Sequence, residues 1–186
     1  WIATIALRKY DVFHAIDLAA EAGFLGVEIW GKPPHTPAES AEEHMLRVRD
    51  HARCHGMKIS MFGSYANPCD PHYEVRRDDA LRIARALGTR RIRVWAGNAE
   101  PAEADEGLWR SVADAFHDFA LRAEDQGIKL ALEMHSGTLT ATPEGSVRLL
   151  EMADSPNLKL NYQPPVGESN VDSAIALVGP HVINVH

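Results

Sequence analysis

The sequence predicts an α/β fold, a (β/α)8 barrel of which seven strands and six helices fall within the chain. Three observations carry that prediction. Short β-branched or aliphatic runs alternate with longer stretches whose apolar residues recur every three or four positions. The strand candidates start about 30 residues apart on average, close to the ~31 residues per βα unit of an eight-fold barrel. Glycines stand where the helical patterns stop, one to three residues before a strand. Strict βαβα alternation implies a parallel sheet with helices outside it. An open doubly wound sheet has the same alternation but usually carries a glycine-rich first turn, and no G-x-G-x-x-G or Walker A pattern occurs here.

The elements follow in order. Ile2–Leu7 reads as the first strand, and Val12, Ile16, Ala19 and Ala20 as the inner stripe of the first helix, closed by Gly23. Gly26–Trp30 is the second strand. Thr36-Pro37-Ala38-Glu39 is a capping box with proline at the first helical position, opening the helix of Ala41, Met45, Val48 and Ala52 that Gly56 ends. Lys58–Ser64 is the third strand, and the turn-rich Tyr65–Tyr73 stretch is a βα loop of the kind that carries function in barrels. Ala80, Ile83, Ala84 and Leu87 mark the next helix, ended by Gly88, and Arg91–Gly97 the fourth strand. Leu108, Val112, Ala115, Phe116, Phe119 and Ala123 form the cleanest stripe, followed by Gly127 and the strand Lys129–His135. Thr142-Pro143 repeats the cap-and-proline start. Leu158–Gln163, Gly179 and Val182–His186 complete the series.

At 186 residues, with 45% apolar and 24% charged residues, the chain reads as one globular domain over 1–186 with room for a sizeable core. Its 19 basic and 26 acidic residues give a net charge of −7, against a nucleic-acid partner and for a small-molecule one. No run is long and apolar enough for a membrane span, and no leader is visible. Two cysteines make no disulfide framework and fit a reducing cytoplasm. Because Trp1 opens almost directly on a strand and the last strand stops at His186, one further strand and about two more helices are expected beyond it. A homo-oligomer is compatible with the acidic helices.

Side chains alternate along a strand, so Lys129, Ala131, Glu133 and His135 share one face while Leu130, Leu132 and Met134 share the other. The same parity puts Lys159, Asn161 and Gln163 together, and Asn184 with His186. Three successive strands therefore end in Glu133, Gln163 and His186 on the interior face. A carboxylate, an amide oxygen and an imidazole make a candidate site for a divalent ion, Mn, Mg, Co or Zn. Such an ion acts as a Lewis acid on a carbonyl, and Glu133 is the candidate catalytic base toward an adjacent C–H.

Substrate contact is expected from Glu28 and Trp30 at the end of strand two, from Trp95 on strand four and from His135. Each also has a plainer reading. In it the tryptophans plug the barrel or its mouth, Glu28 pairs with Arg93, and His135 bonds a loop carbonyl. His51 and His55 have a ligand-capable i, i+4 spacing but lie with His44 on an outer helix and read as solvated surface, as do the Arg76-Arg77 and Arg90-Arg91 pairs.

Gly23-Phe-Leu-Gly-Val-Glu-Ile-Trp30, Arg93-Val-Trp-Ala-Gly97, Leu130-Ala-Leu-Glu-Met-His135 with Gly137-Thr-Leu-Thr140, Ser155 to Pro164, and Asn184-Val-His186 follow one another along the chain. In that order they resemble the sugar phosphate isomerase/epimerase family, the xylose isomerase-like TIM barrels that also include the AP endonuclease 2 type. The resemblance implies a metal held by Glu, Asp, His and a further acidic residue from the fifth to the eighth strand. Glu133 falls on the first of those positions and His186 on the third. Gln163 stands where the family commonly has Asp, which removes a negative charge from the site. The implied activity is a metal-dependent isomerase or epimerase acting on a small ketose or sugar (phosphate)-like carbonyl compound through an enediolate. A dehydratase of the inosose or dehydroshikimate type begins with the same proton abstraction. An AP endonuclease would want more metal ligands and a basic face, which the acidic balance opposes, and a metal-free polyol binder would fit the Gln163 departure.

Overall fold

A computed structural model describes residues 1–37, 42–164 and 170–186. Seven strands follow one another in the sheet in chain order: β1 Ile2–Ala3, β2 Gly26–Trp30, β3 Lys58–Gly63, β4 Arg91–Val94, β5 Lys129–Glu133, β6 Leu158–Tyr162 and β7 Val182–Val185. The pairs β1–β2, β2–β3, β5–β6 and β6–β7 run parallel. Six helices alternate with them: α1 Val12–Glu21, α2 Glu42–Cys54, α3 Tyr73–Leu87, α4 Glu106–Glu124, α5 Pro143–Ala153 and α6 Val171–Val178. The chain packs as two compact units, residues 1–65 with 76–92 and residues 66–75 with 93–186. No helix among the described residues is long and apolar enough to cross a membrane.

The helix starts follow from side-chain caps. Asp11 accepts from the Phe13 and His14 amides, Asp105 from Leu108, and Thr142 from Gly145 with Pro143 just inside the helix. The Thr36–Glu39 capping box extends into residues outside the described ones. Gly23, Gly56, Gly88 and Gly127 all take positive φ, as the helix-stop pattern requires. Gly179 does not: at φ −50° it runs on into the 3-10 turn Gly179–His181, where Pro180 fits a first helical turn. The left-handed stop of α5 is Asp154 instead, at φ 44°. On α4 the buried face runs through Trp109, Val112, Phe116, Phe119 and Ala123, so it begins one residue later than the Leu108 the periodicity selected. Asn157, just before β6, donates to the carbonyls of Ala120 and Ile128 at 3.0 and 2.8 Å, pinning the end of α4 to the start of β5.

The first strand is shorter than the pattern Ile2–Leu7 suggested. It ends at Ala3, and Thr4–Leu7 form a 3-10 turn. The buried Thr4 explains the switch. Its hydroxyl accepts the Trp30 amide at 2.9 Å, a donor that a longer first strand would have paired. The same hydroxyl lies 2.8 Å from His35 Nδ1, and His35 Nε2 lies 3.1 Å from the Tyr10 carbonyl. A carbonyl only accepts, so the proton sits on Nε2, and Nδ1 takes the Thr4 proton. Every polar atom of a neutral His35 is thereby satisfied. Burial pushes its pKa below the ordinary imidazole range, against the opposing pull of the Tyr10 and Leu7 carbonyls and of Asp11. A lowered histidine pKa means that the unfolded chain binds the proton first. Stability is therefore whole above the unfolded value of about 6.5 and declines as pH falls from there toward the folded value. His35→Gln is expected to cost about 1–3 kcal/mol above pH ~7, and the gap to the unsubstituted protein should narrow on acidification. Urea melts of both proteins across the pH range check it; parallel curves would refute the assignment.

Candidate active site

Within the second unit the pairing of β5, β6 and β7 fixes which side chains meet. Glu133 stands opposite Asn161, and Asn161 opposite Asn184, so these three polar residues are level on adjacent strands. Two residues further on, by the same register, come His135, Gln163 and His186. Sequence parity placed all six on one face but could not say which would touch.

Glu133 is the centre of the contacts. It is 5% exposed, and one carboxylate oxygen, Oε2, takes a hydrogen bond from Arg93 Nη1. The other, Oε1, lies 3.5 Å from His186 Nδ1. His186 Nδ1 is also 3.1 Å from the Asn161 amide nitrogen, whose own oxygen accepts from Asn184 Nδ2 at 2.7 Å. Burial raises the Glu133 pKa, but the His186 hydrogen bond and the Arg93 charge outweigh it and hold the carboxyl below its usual range. Glu133 is therefore ionised at neutral pH. Arg93, expected near Glu28, bonds Glu133 within the second unit.

The backbone around Glu133 is held by the Gly137-Thr-Leu-Thr140 turn. Thr140 donates its hydroxyl to the Glu133 carbonyl at 2.6 Å and Thr138 donates to that of His135 at 2.7 Å, with both threonines buried. The Gly137 amide in turn donates to Glu100 Oε1 at 2.9 Å. His135 itself is half-buried. Its Nδ1 is 2.7 Å from the Ser136 carbonyl, the plainer of its two expected roles, so the proton is on Nδ1 and Nε2 is left as the acceptor. Its ring lies 4.7 Å from that of Trp95, tilted by 44°. His135 and Gln163 line a cavity of about 350 Å³ together with Glu100, Ser136 and Thr142. Gln163 makes no hydrogen bond to Glu133 or His186. Asn161, not Gln163, is the amide tied to His186.

Glu28 and Trp30 belong to the first unit. Glu28 is buried near the end of β2. The Trp30 indole donates to the Tyr65 hydroxyl at 2.8 Å, His35 meets its ring edge-on at 5.6 Å, and Lys32 Nζ sits 3.7 Å over the Tyr65 ring. Trp30 is thus a fixed surface, with its one polar atom committed.

The donor set near Glu133 suits a cation. With the Asn161 oxygen occupied by Asn184, its amide hydrogen goes to His186 Nδ1, which makes Nδ1 an acceptor. In that tautomer Nδ1 and Glu133 Oε1 face one another lone pair to lone pair at 3.5 Å, and with a proton on Nδ1 the same contact is the hydrogen bond that lowers the Glu133 pKa. Two acceptors so placed repel until a proton or a metal ion comes between them. One carboxylate oxygen and one imidazole nitrogen are two of the ligands a divalent ion takes in such sites.

A family model for the xylose isomerase-like TIM barrel matches residues 16–165. The chain belongs to that family. It is 25% identical over 170 residues to a 3-dehydroshikimate dehydratase of Bacillus anthracis; the match takes in 86% of this chain and 59% of that protein, so the chain spans about three-fifths of the relative's length. Its fold is similar to that of D-psicose 3-epimerase from Clostridium cellulolyticum H10, with a TM-score of 0.77 and 18% identity, covering 100% of this chain and 71% of the other. A Mycobacterium smegmatis xylose isomerase-like TIM barrel protein in complex with magnesium has a TM-score of 0.76 at 18% identity, over 94% of this chain and 65% of that one. The family places the seven strands and six helices in an eight-fold barrel plan. The chain is part of an enzyme superfamily that includes dehydratases and epimerases.

Proposed function

We propose that the chain carries the metal and substrate side chains of an enzyme that removes a proton next to the carbonyl of a small polyhydroxylated compound. The observation that supports this reading is the facing pair Glu133 Oε1 and His186 Nδ1, held by Arg93 on one side and Asn161 on the other. Glu133 and His186 would hold a divalent ion such as Mn, Mg, Co or Zn, with Gln163 one register step above Asn161 as a further oxygen donor. When bound, the ion supplies Lewis-acid polarisation of the carbonyl and its neighbouring hydroxyl.

The protein's own groups then divide the work. Glu133, kept ionised by Arg93, is a weak base and a good ligand. His135, with Nε2 unprotonated, lines the cavity with Gln163 and Thr142 and can take or return a proton there. Trp95 backs the His135 ring and offers an apolar face to a sugar carbon.

Loss of that proton gives an enediolate, from which two outcomes branch. Return of the proton to the neighbouring carbon, or to the other face, makes an isomerase or epimerase, the activity implied by the family motifs and supported by the psicose epimerase fold. Expulsion of a β-hydroxyl makes a dehydratase, the reading the Bacillus anthracis relative favours. One assay separates them. The purified protein is stripped of metal, reloaded, and given 3-dehydroshikimate and a ketose panel in deuterated water. Deuterium in a sugar product supports the isomerase, and a new conjugated ultraviolet chromophore supports the dehydratase. Undiminished turnover by the stripped protein would overturn the metal-dependent reading of both.

A further inference from the structure

The two histidines on α2 that the sequence pattern left as solvated surface are not independent of one another. His51 and His55, one turn apart, both direct Nε2 at the same oxygen of Asp17 on α1, at 2.6 and 3.0 Å. All three side chains are 29–39% exposed, so they sit at the rim of the helix pair rather than free in solvent. The His51 ring is braced edge-on by Phe13 at 5.3 Å and lies 4.9 Å from that of His55. One carboxylate oxygen and two imidazole nitrogens thus lie within 4.8 Å of one another, the single such group of three among the described residues.

We propose that Asp17, His51 and His55 form a second divalent-cation site, of zinc type, that clips α1 to α2. Two imidazoles and one carboxylate with an outer position open to water is a common zinc ligand set. Tetrahedral ligands at ~2.0–2.1 Å from zinc are roughly 3.3 Å apart, so the Asp17 oxygen needs to retreat by about 0.7 Å from His51 and about 0.3 Å from His55. No group has to lose its proton to the solvent. Each neutral imidazole moves its hydrogen from Nε2 to Nδ1, and the freed lone pair takes the ion in place of the hydrogen bond to Asp17. The site lies wholly in the first unit, and nothing in it depends on the residues around Glu133.

The test is zinc binding by the purified protein, followed by calorimetry and by the visible spectrum of the cobalt-loaded form, in four backgrounds: unsubstituted, Glu133→Gln, Asp17→Asn, and His51→Gln with His55→Gln. Zinc bound at Asp17 is expected to persist in Glu133→Gln, and to weaken by at least about tenfold in the Asp17 and double-histidine variants. Zinc should raise the melting temperature of Glu133→Gln, and adding His51→Gln with His55→Gln to that variant should abolish the rise. Unchanged zinc affinity in the double-histidine protein would overturn the site and reduce the trio to a hydrogen-bond cluster. Failure of the Glu133 reading would show separately, as an identical ion count with and without Glu133→Gln.

Discussion

Glu133→Gln is expected to lower turnover by at least about a thousandfold and stability by about 3 kcal/mol. Both effects come from one fact: Glu133 and Arg93 are a buried pair, with side chains 6% and 5% exposed. Removing one partner of a buried pair costs about 3–5 kcal/mol. Glutamine keeps an oxygen for Arg93, so the lower end applies. Turnover suffers independently, because a neutral amide lacks the charge that draws a cation to His186 Nδ1. The two effects separate in the Arg93→Met, Glu133→Gln double variant. Taking away both charges should restore most of the stability, since an apolar replacement of a buried pair is often neutral, while activity stays lost. Urea melts and turnover on the same four proteins check it. Recovery of turnover together with stability would show that Glu133 matters only as Arg93's partner.

Much of this site was legible because a strand alternates with period two and a barrel unit repeats. Those regularities placed Glu133, Gln163 and His186 at equivalent points of three successive strands, and the structure brings Glu133 and His186 together. Periodicity cannot give the stagger between strands. The β6–β7 register shifts between Leu160 and Asn161 and sets Gln163 level with His186, yet the amide that His186 Nδ1 meets is that of Asn161. Arg93 was read on the right face, but its bond to Glu133 was not anticipated, because parity names a face and not a partner. Thr4 and His35 were invisible for another reason: their chain of hydrogen bonds joins residues 26 and 31 positions apart, and no local pattern marks it. The histidines of α2 had the right spacing, but their third partner, Asp17, is on a different helix and 34 residues away from His51.

The sharpest test of the polar layer is Asn161, which is fully buried. It acts through His186: by donating to Nδ1 it fixes the tautomer that presents a lone pair beside Glu133. Asn161→Ala is expected to lower kcat by about 10–100-fold with little change in KM, and to weaken metal affinity by a similar factor. It also strands Asn184 Nδ2, at a cost of about 1–3 kcal/mol. A loss of packing alone could lower activity, so Asn161→Asp is the discriminating variant. Aspartate keeps the volume and the acceptor for Asn184 but offers no hydrogen to Nδ1. It instead draws a proton onto His186 and sets a second negative charge level with Glu133. If tautomer control is what Asn161 contributes, the aspartate protein is as slow as the alanine one although its core is filled, and the nitrogen chemical shifts of His186 report protonation at Nδ1. Wild-type turnover in Asn161→Asp would mean that the amide serves only to fill space between β5 and β7.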